Sequence, residues 1–204
     1  MTDKIYFAYG DEVTEYLKKR DKKLGAAIDK IGHIERAVTP DIFTALVDAV
    51  VGQQISTKAH ATVWARMTES FSPMVPETIA RASENELQSC GISFRKAQYI
   101  REIALAVTDG TLDLEELQAQ SDDEVRARLC RLRGIGKWTA DMVMTFSMQR
   151  PDIVSFDDLG ILRGIRMLYR HKKITPQLFA KYARRYSPHA TVAALYLWAI
   201  SGGA

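Results

Sequence analysis

The sequence predicts an all-α fold. Apolar residues recur at spacings of three and four along nearly all of the 204 residues, which is the pattern of helices with one buried face. Two Ser-x-x-Glu capping boxes, beginning at Ser83 and Ser121, mark helix starts. No pair of alternating strands joined by a hairpin turn occurs, and the extended stretch 153–156 is too short to be more than a connector.

Capping residues then set the helix boundaries along the chain. Thr-Pro at 39–40 and 175–176 and Ser-Pro at 187–188 each pair a cap with proline at the first helical position. Ser56 and Ser93 are further caps, and Gly91 and Gly110 follow helix ends. The predicted helices span residues 11–20, 22–31, 40–53, 57–69, 77–81, 84–89, 94–108, 113–118, 122–131, 137–148, 158–170, 176–185 and 188–201.

Positive charge is concentrated in one part of the chain. Residues 126–185 contain 14 Lys and Arg but only 4 Asp and Glu, whereas the rest of the chain contains 14 and 21. Such segregation gives one face a positive field that suits a polyanion, although solvated basic helix faces would give the same counts.

Composition also limits the class of protein. The longest apolar run, 192–200, is far shorter than a membrane span, and the N-terminus has no apolar signal segment. We therefore expect a soluble, non-secreted protein with no membrane partner, cytoplasmic and nucleoid-associated if it is prokaryotic. Cys90 and Cys130 are too few for an iron–sulfur cluster and are expected to be buried thiols.

The most informative motif is Leu-Arg-Gly-Ile-Gly-Lys-Trp-Thr-Ala at 132–140, between two amphipathic segments. Gly134 and Gly136 flank Ile135, which can fill the space between the two helices, and the glycines allow a tight turn that a phosphate can approach. The following helix start, Lys137 and the Thr139 hydroxyl can add contacts to that phosphate. The second helix is expected to place Trp138, Met142, Val143 and Phe146 inward. A glycine turn in an ordinary helical hairpin is the alternative.

Together with Ser-Phe-Asp-Asp-Leu at 155–159, this motif resembles the helix-hairpin-helix DNA glycosylase superfamily (HhH-GPD), with its Gly/Pro-rich loop and aspartate. Within it the chain resembles the 3-methyladenine DNA glycosylase II branch, whose Gln-Gln-Ile-Ser segment matches residues 53–56. The resemblance implies a single domain over 1–204, a two-lobed helical bundle with a cleft between a lobe from about 38–155 and a lobe from about 1–37 and 156–204.

The resemblance also implies a catalytic carboxylate. The family's aspartate lies twenty residues after the hairpin tryptophan, which here is Asp158. We assign Asp157 as the cap of the next helix, so that Asp158 occupies its first turn, where the helix dipole favours an anion. A fixed carboxylate stabilises the oxocarbenium-like sugar that forms as a base departs. The alternative is that both aspartates merely cap the helix.

Other site residues follow from the same resemblance. Trp138 and Trp198 match tryptophans that line the base pocket, and Met142 replaces a tyrosine found in part of the family. Bifunctional relatives carry a lysine where this chain has Trp138, and Lys137 is turned about 100° away, so we predict no lyase activity. Gln54 is the expected wedge that fills the stack after base flipping. Core packing is the alternative for both Trp138 and Trp198. A polar helix end is the alternative for Gln54.

Remaining expectations concern DNA contacts and ions. Lys96 could touch the backbone of the second strand, or could simply be a solvated lysine. The hairpin could hold a monovalent cation through backbone carbonyls, as relatives do, and no other cofactor is expected. The four histidines lack metal-ligand spacing, so no metal is predicted.

The sequence and its resemblance thus predict a monofunctional glycosylase that acts as a monomer on damaged double-stranded DNA. It is expected to flip out and excise alkylated purines of the 3-methyladenine type, and so to initiate base excision repair. A non-catalytic binder of damaged or branched DNA on the same fold is one alternative. A glycosylase for uracil or hypoxanthine is the other.

Overall fold

A computed structural model describes residues 4–204, and within them the protein forms thirteen helices and no strand. The helices are α1 (Asp11–Arg20), α2 (Lys22–Ile31), α3 (Ile42–Gly52), α4 (Thr57–Ser70), α5 (Pro76–Arg81), α6 (Glu84–Ser89), α7 (Phe94–Thr108), α8 (Leu114–Ala119), α9 (Asp122–Leu129), α10 (Lys137–Phe146), α11 (Leu159–Tyr169), α12 (Pro176–Tyr186) and α13 (Ala190–Gly202). The all-α prediction is confirmed.

Local capping explains most of the helix starts. The capping boxes at Ser83 and Ser121 are both formed, with the glutamate side chain returning to the cap N–H in each. The hydroxyl groups of Ser56, Ser93 and Thr175 accept from the backbone as predicted. Gly91 and Gly110 adopt positive φ angles just after the ends of α6 and α7, which terminates both helices.

Two predicted starts are wrong. Helix α3 begins at Ile42 because Asp41, rather than the Thr-Pro pair before it, accepts the N–H of Thr44 at 2.7 Å. Helix α13 begins at Ala190, since the hydroxyl of Ser187 donates to a carboxylate oxygen of Asp152 and caps nothing. Ser187 does not serve as a cap because its hydroxyl bonds to a residue 35 positions away, which sequence spacing alone cannot reveal.

The chain divides into two compact units. The first comprises the described residues up to Val38 together with Met144–Ala204, and the second comprises Thr39–Val143, so the division falls within α10. In the first unit α11 packs along α13, the most apolar helix of this unit, with α1, α2 and α12 around them. In the second unit α3, α5 and α6 pack on α7.

Glycines at two positions let α11 and α13 approach closely. A Cβ at Gly164 would lie 3.0 Å from the Leu197 Cα and nearer still to its carbonyl oxygen, so only glycine fits there. One turn earlier, a Cβ at Gly160 would lie 2.8 Å from the Trp198 ring. This pair of glycines brings the N-terminal end of α11 against the last part of α13.

The two cysteines differ. Cys90 is buried, but Cys130, at the end of α9, is exposed, so the prediction of two buried thiols is wrong for Cys130. No helix within residues 4–204 has both the length and the apolar character that a membrane crossing requires.

Candidate functional site

The turn between α9 and α10 is built around Gly134 and Ile135. Gly134 has φ +85°, and a Cβ there would overlap the ring of Tyr99, so both backbone conformation and packing demand glycine. Ile135 is 4% exposed and fills the space between the helices, as predicted. The turn is therefore rigidly packed on its inner side.

Gly136 differs from Gly134. Its position is exposed, and a Cβ there would meet no atom of the described chain within 4 Å. Its carbonyl accepts the Ala140 N–H at 2.9 Å, so Gly136 occupies the N-cap position directly before α10, and the exposed Lys137 is the first residue of that helix. Because packing within residues 4–204 leaves space for a side chain at Gly136, the open backbone there is suited to the close approach of an external group.

The predicted inward face of α10 is right for Val143 but wrong for Trp138 and Met142. Thr139, Ala140 and Val143 are almost fully buried, whereas Trp138 is 43% exposed and Met142 is half-buried. Successive residues turn by about 100°, so Trp138 and Met142 share a neighbouring, more open stripe of the helix. Thr139 is only 5% exposed, which does not suit a hydroxyl group that reaches an external phosphate. We therefore remove Thr139 from the predicted phosphate contacts.

Charged side chains brace the hairpin. The Arg126 guanidinium on α9 donates to the buried Asp141 carboxylate on α10 at 2.7 Å and to Asp123 at 2.7 Å. Burial alone would lower the pKa of Arg126, but these carboxylates more than offset it and raise the pKa. The pair ties the two hairpin helices together, and sequence analysis missed it because the spacing of fifteen residues matches no helical pattern.

The turn between α3 and α4 presents Gln54 at its tip. Gln54 is exposed and has φ +56°, a left-handed conformation that costs energy for a residue other than glycine. Beside it, the Gln53 amide donates to the Gly134 carbonyl at 2.8 Å and so joins this turn to the hairpin. Ile55 is 38% exposed on the other side of Gln54. The predicted wedge residue therefore stands at the tip of a turn that is fixed to the hairpin between α9 and α10.

Lys96 has a different environment from the one predicted. Its ammonium group donates to the carbonyls of Val51 and Gln53, at 2.9 and 2.6 Å, where α3 ends. Partial burial lowers the pKa of Lys96. Lysine donors satisfy carbonyls that a helix end leaves open. Lys96 thus supports the turn that carries Gln54. We interpret it as a positioning residue rather than as a contact to the DNA backbone.

Asp158 occupies the cap of α11, not its first turn. Its Oδ1 accepts the Ile161 N–H at 2.8 Å and the Trp198 indole N–H at 3.0 Å, and the residue is 7% exposed. Asp157 is exposed in the preceding turn, so its predicted capping role is wrong. The extended backbone of Asp158 directs its side chain back over the first N–H groups of the helix. The carboxylate is consequently held in one orientation beside a helix N-terminus, where negative charge is favoured.

Trp198 supports this arrangement from α13. Its indole ring packs against Phe146, with centroids 5.6 Å apart, and the Arg36 guanidinium lies 4.7 Å from the Phe146 ring centroid. Gly160 allows the indole to come this close to Asp158, as described above. Sequence analysis singled out Trp198 but missed Gly160, although a glycine inside a helix interior is a signal of close approach.

Metal-binding residues are not grouped in the described part of the chain. Residues 4–204 contain no set of three or more His, Cys, Asp or Glu side chains that could hold a metal ion.

A family model described as HhH-GPD superfamily base excision DNA repair protein matches residues 47–189. A DNA-3-methyladenine glycosylase of Schizosaccharomyces pombe is 34% identical over 161 residues, which are 76% of this chain and 71% of the relative.

Two solved structures are also similar. The crystal structure of a DNA-3-methyladenine glycosidase from Bacillus halodurans has a TM-score of 0.87 at 32% identity and covers 98% of this chain and 93% of that one. A 3-methyladenine DNA glycosylase of Schizosaccharomyces pombe in complex with abasic DNA has a TM-score of 0.80 at 29% identity. The match covers 95% of this chain and 98% of that one. The chain belongs to the HhH-GPD superfamily of base excision DNA repair proteins.

Proposed function

We propose that this protein is a monofunctional DNA glycosylase that flips alkylated purines of the 3-methyladenine type out of duplex DNA and hydrolyses their N-glycosidic bond. The observation that carries the proposal is the carboxylate of Asp158, fixed by the Ile161 N–H and the Trp198 indole at the start of α11. Relatives named for DNA-3-methyladenine glycosylase activity support it.

Asp158 would act on the sugar. As the C1′–N bond breaks, its electron pair leaves with the base, and C1′ becomes oxocarbenium-like. The carboxylate stabilises this positive charge and orients the water whose oxygen bonds to C1′, while the water proton passes to the carboxylate or to solvent. A carboxylate already held by two N–H donors reorganises little during this step.

The proposed substrate class, alkylated purines, rests on how readily the base departs. An alkylated purine is cationic, so it departs as a neutral base and needs no general acid. A tryptophan face attracts such a cation by about 0.5–2 kcal/mol. Trp198 is half-buried beside Phe146, and Trp138 is 43% exposed on α10, so both offer ring surface. Met142, where some relatives have tyrosine, leaves more room on that stripe of α10.

Duplex DNA is the proposed partner. Backbone N–H groups at Gly136 and the exposed Lys137 suit a phosphate, and Gln54 suits the gap that a flipped base leaves. The hairpin remains a candidate for a monovalent cation bound by backbone carbonyls. No Schiff base is expected, because Trp138 stands where bifunctional relatives have lysine.

The test is base release from methylated duplex DNA, measured by chromatography in single-turnover reactions. Asp158→Asn should lower the rate by about 10²–10³-fold, since it removes the charge that stabilises the transition state. Asparagine is also a good cap, so α11 should remain folded and the affinity for undamaged duplex should stay close to that of the wild type. Asp157→Asn is the matched control, because Asp157 is exposed and caps nothing, and it should retain wild-type activity.

Three other outcomes would change the proposal. Wild-type protein that binds damaged duplex selectively but releases no base would be a non-catalytic binder, a reading that the capping role of Asp158 favours. Release of uracil or hypoxanthine in preference to alkylated purines would move the substrate class. Strand cleavage without alkali, or borohydride trapping on DNA, would contradict the absence of lyase activity.

A further inference from the structure

A second positively charged feature lies in the first unit. A groove of about 480 Å³ is lined by five cationic side chains: Lys19 and Arg20 at the end of α1, and Lys181, Arg184 and Arg185 on α12. Because α1 and α12 are about 160 residues apart in the chain, only the tertiary structure assembles this groove. It is called the basic groove below.

Two of its guanidinium groups are held in place. Arg20 lies over the Tyr16 ring, 5.8 Å from its centroid, and donates to the Arg185 carbonyl at 3.4 Å. Arg185 lies 5.3 Å from the Tyr182 ring centroid and donates to the buried Asp21 carboxylate at 2.5 Å. These contacts orient the cations before any ligand arrives, which reduces the entropy lost on binding.

Charge in the groove is only partly compensated. Asp21 pairs with Arg185, but Lys19, Lys181 and Arg184 form no ion pair with any of residues 4–204. The C-terminal ends of α1 and α12 carry partial negative charge, which makes a few cations favourable there. That effect does not neutralise five cations in one groove, so an anionic ligand would relieve their mutual repulsion.

The basic groove is distant from Asp158. Tyr169, the last residue of α11, donates to Asp21, which places the groove at the C-terminal end of that helix. Asp158 caps the opposite end. Eleven residues of helix separate the two ends by about 16 Å, so the groove is not part of the site described above.

We propose that the basic groove binds the phosphate backbone of a second DNA segment, separate from the segment that carries the damaged base. Cations on two helices suit a repeating row of phosphates, and the lining lacks the apolar side chains that the core of a protein interface contains. The unit that contains the groove is also net positive. Residues 1–38 and 144–204 carry 17 Lys and Arg and 10 Asp and Glu, whereas the rest of the chain carries 11 Lys and Arg and 15 Asp and Glu. A second duplex contact of this kind lets a protein pass between DNA segments without full release.

The experiment saturates the wild-type protein with an unlabelled duplex that contains an abasic site and then titrates a labelled undamaged duplex, with anisotropy as the readout. The double variant Lys19→Ser/Lys181→Ser removes one cation from each helix of the groove. Lys30→Ser/Lys173→Ser is the matched control, since both lysines are exposed, Lys30 also lies in the last turn of a helix, and neither lines the groove.

Wild-type and control proteins should bind the second duplex, with similar dependence of affinity on salt. The groove variant should bind it more weakly, and its slope of log K against log salt should fall by about 1.8, or roughly 0.9 per lost phosphate contact. Base release from a short duplex should be the same in the groove variant as in the wild type. This result separates the two proposals, because an absence of base release in all three proteins would refute only the proposed glycosylase function.

Equal binding of the second duplex by the groove variant and the control would overturn the proposal. So would binding of inorganic tripolyphosphate that depends on Lys19 and Lys181 without any effect on the second duplex, because the groove would then be a site for small anions.

Discussion

The two glycines of the hairpin provide a test that separates folding from DNA binding. Gly134→Ala and Gly136→Ala add the same methyl group two residues apart, one on the packed side of the turn and one on the open side. We expect the first substitution to lower stability and the second to lower DNA affinity, each with little of the other effect.

The magnitudes follow from the local geometry. At Gly134, φ of +85° costs an alanine about 1–2 kcal/mol, and the methyl group lies 2.9 Å from two atoms of the Tyr99 ring, so overpacking adds about 1–3 kcal/mol. The expected loss is about 2–5 kcal/mol, and each kcal/mol lowers Tm by roughly 2–4 °C in a chain of this size. At Gly136 the free energy of unfolding should change by less than about 0.5 kcal/mol.

DNA affinity should show the reverse order. A methyl group at Gly136 obstructs the approach of a phosphate to the backbone, and one charge-assisted hydrogen bond is worth about 1.5–3 kcal/mol. Binding of an undamaged duplex should therefore weaken roughly 10- to 150-fold. Thermal unfolding followed by circular dichroism gives the stabilities, and anisotropy at one fixed salt concentration gives the affinities.

The reasoning would be refuted if Gly136→Ala bound duplex as tightly as the wild type, since the open face of the hairpin would then not be the phosphate contact. A Gly134→Ala protein as stable as the wild type would show instead that the Tyr99 ring moves aside without cost and that the packing described for this turn is wrong.

Three further predictions concern other residues. Trp198→Phe keeps the ring packing but removes the N–H donor to Asp158, so single-turnover base release should fall roughly 10-fold or more with little change in Tm; an unchanged rate would exclude a positioning role. Lys96→Met should weaken base flipping, measured with 2-aminopurine fluorescence, without changing the slope of log K against log salt for duplex binding. A slope reduced by about 1 would show instead that Lys96 contacts a DNA phosphate. Burial opposes ionisation of Asp21, but hydrogen bonds from Leu24, Arg185 and Tyr169 more than offset this effect and lower the pKa of Asp21. The ionised Asp21 therefore makes its full contribution to stability above about pH 4, and this contribution is lost as the pH falls further. Asp21→Asn should accordingly lower Tm at neutral pH and flatten the dependence of Tm on acid pH, and an unaltered acid profile would contradict this.

Local chemistry made much of this protein predictable. Capping boxes at Ser83 and Ser121, the two-glycine turn around Ile135 and the helical period depend on residues within a few positions of each other, and the structure forms each of them. The resemblance to the glycosylase family, whose aspartate lies twenty residues after the hairpin tryptophan, also predicted Asp158 as the catalytic carboxylate. Interactions of this range are encoded in the sequence itself.

Only tertiary structure decided how these parts are supported. The Gln53 amide reaches a carbonyl 81 residues away, Lys96 closes a helix end 43 and 45 residues away, and the Trp198 indole meets a carboxylate 40 residues away. The basic groove joins helices from opposite ends of the chain. Such contacts depend on how helices pack, which local spacing does not specify, and for that reason the residues that orient the site were the ones that sequence reasoning misplaced or missed.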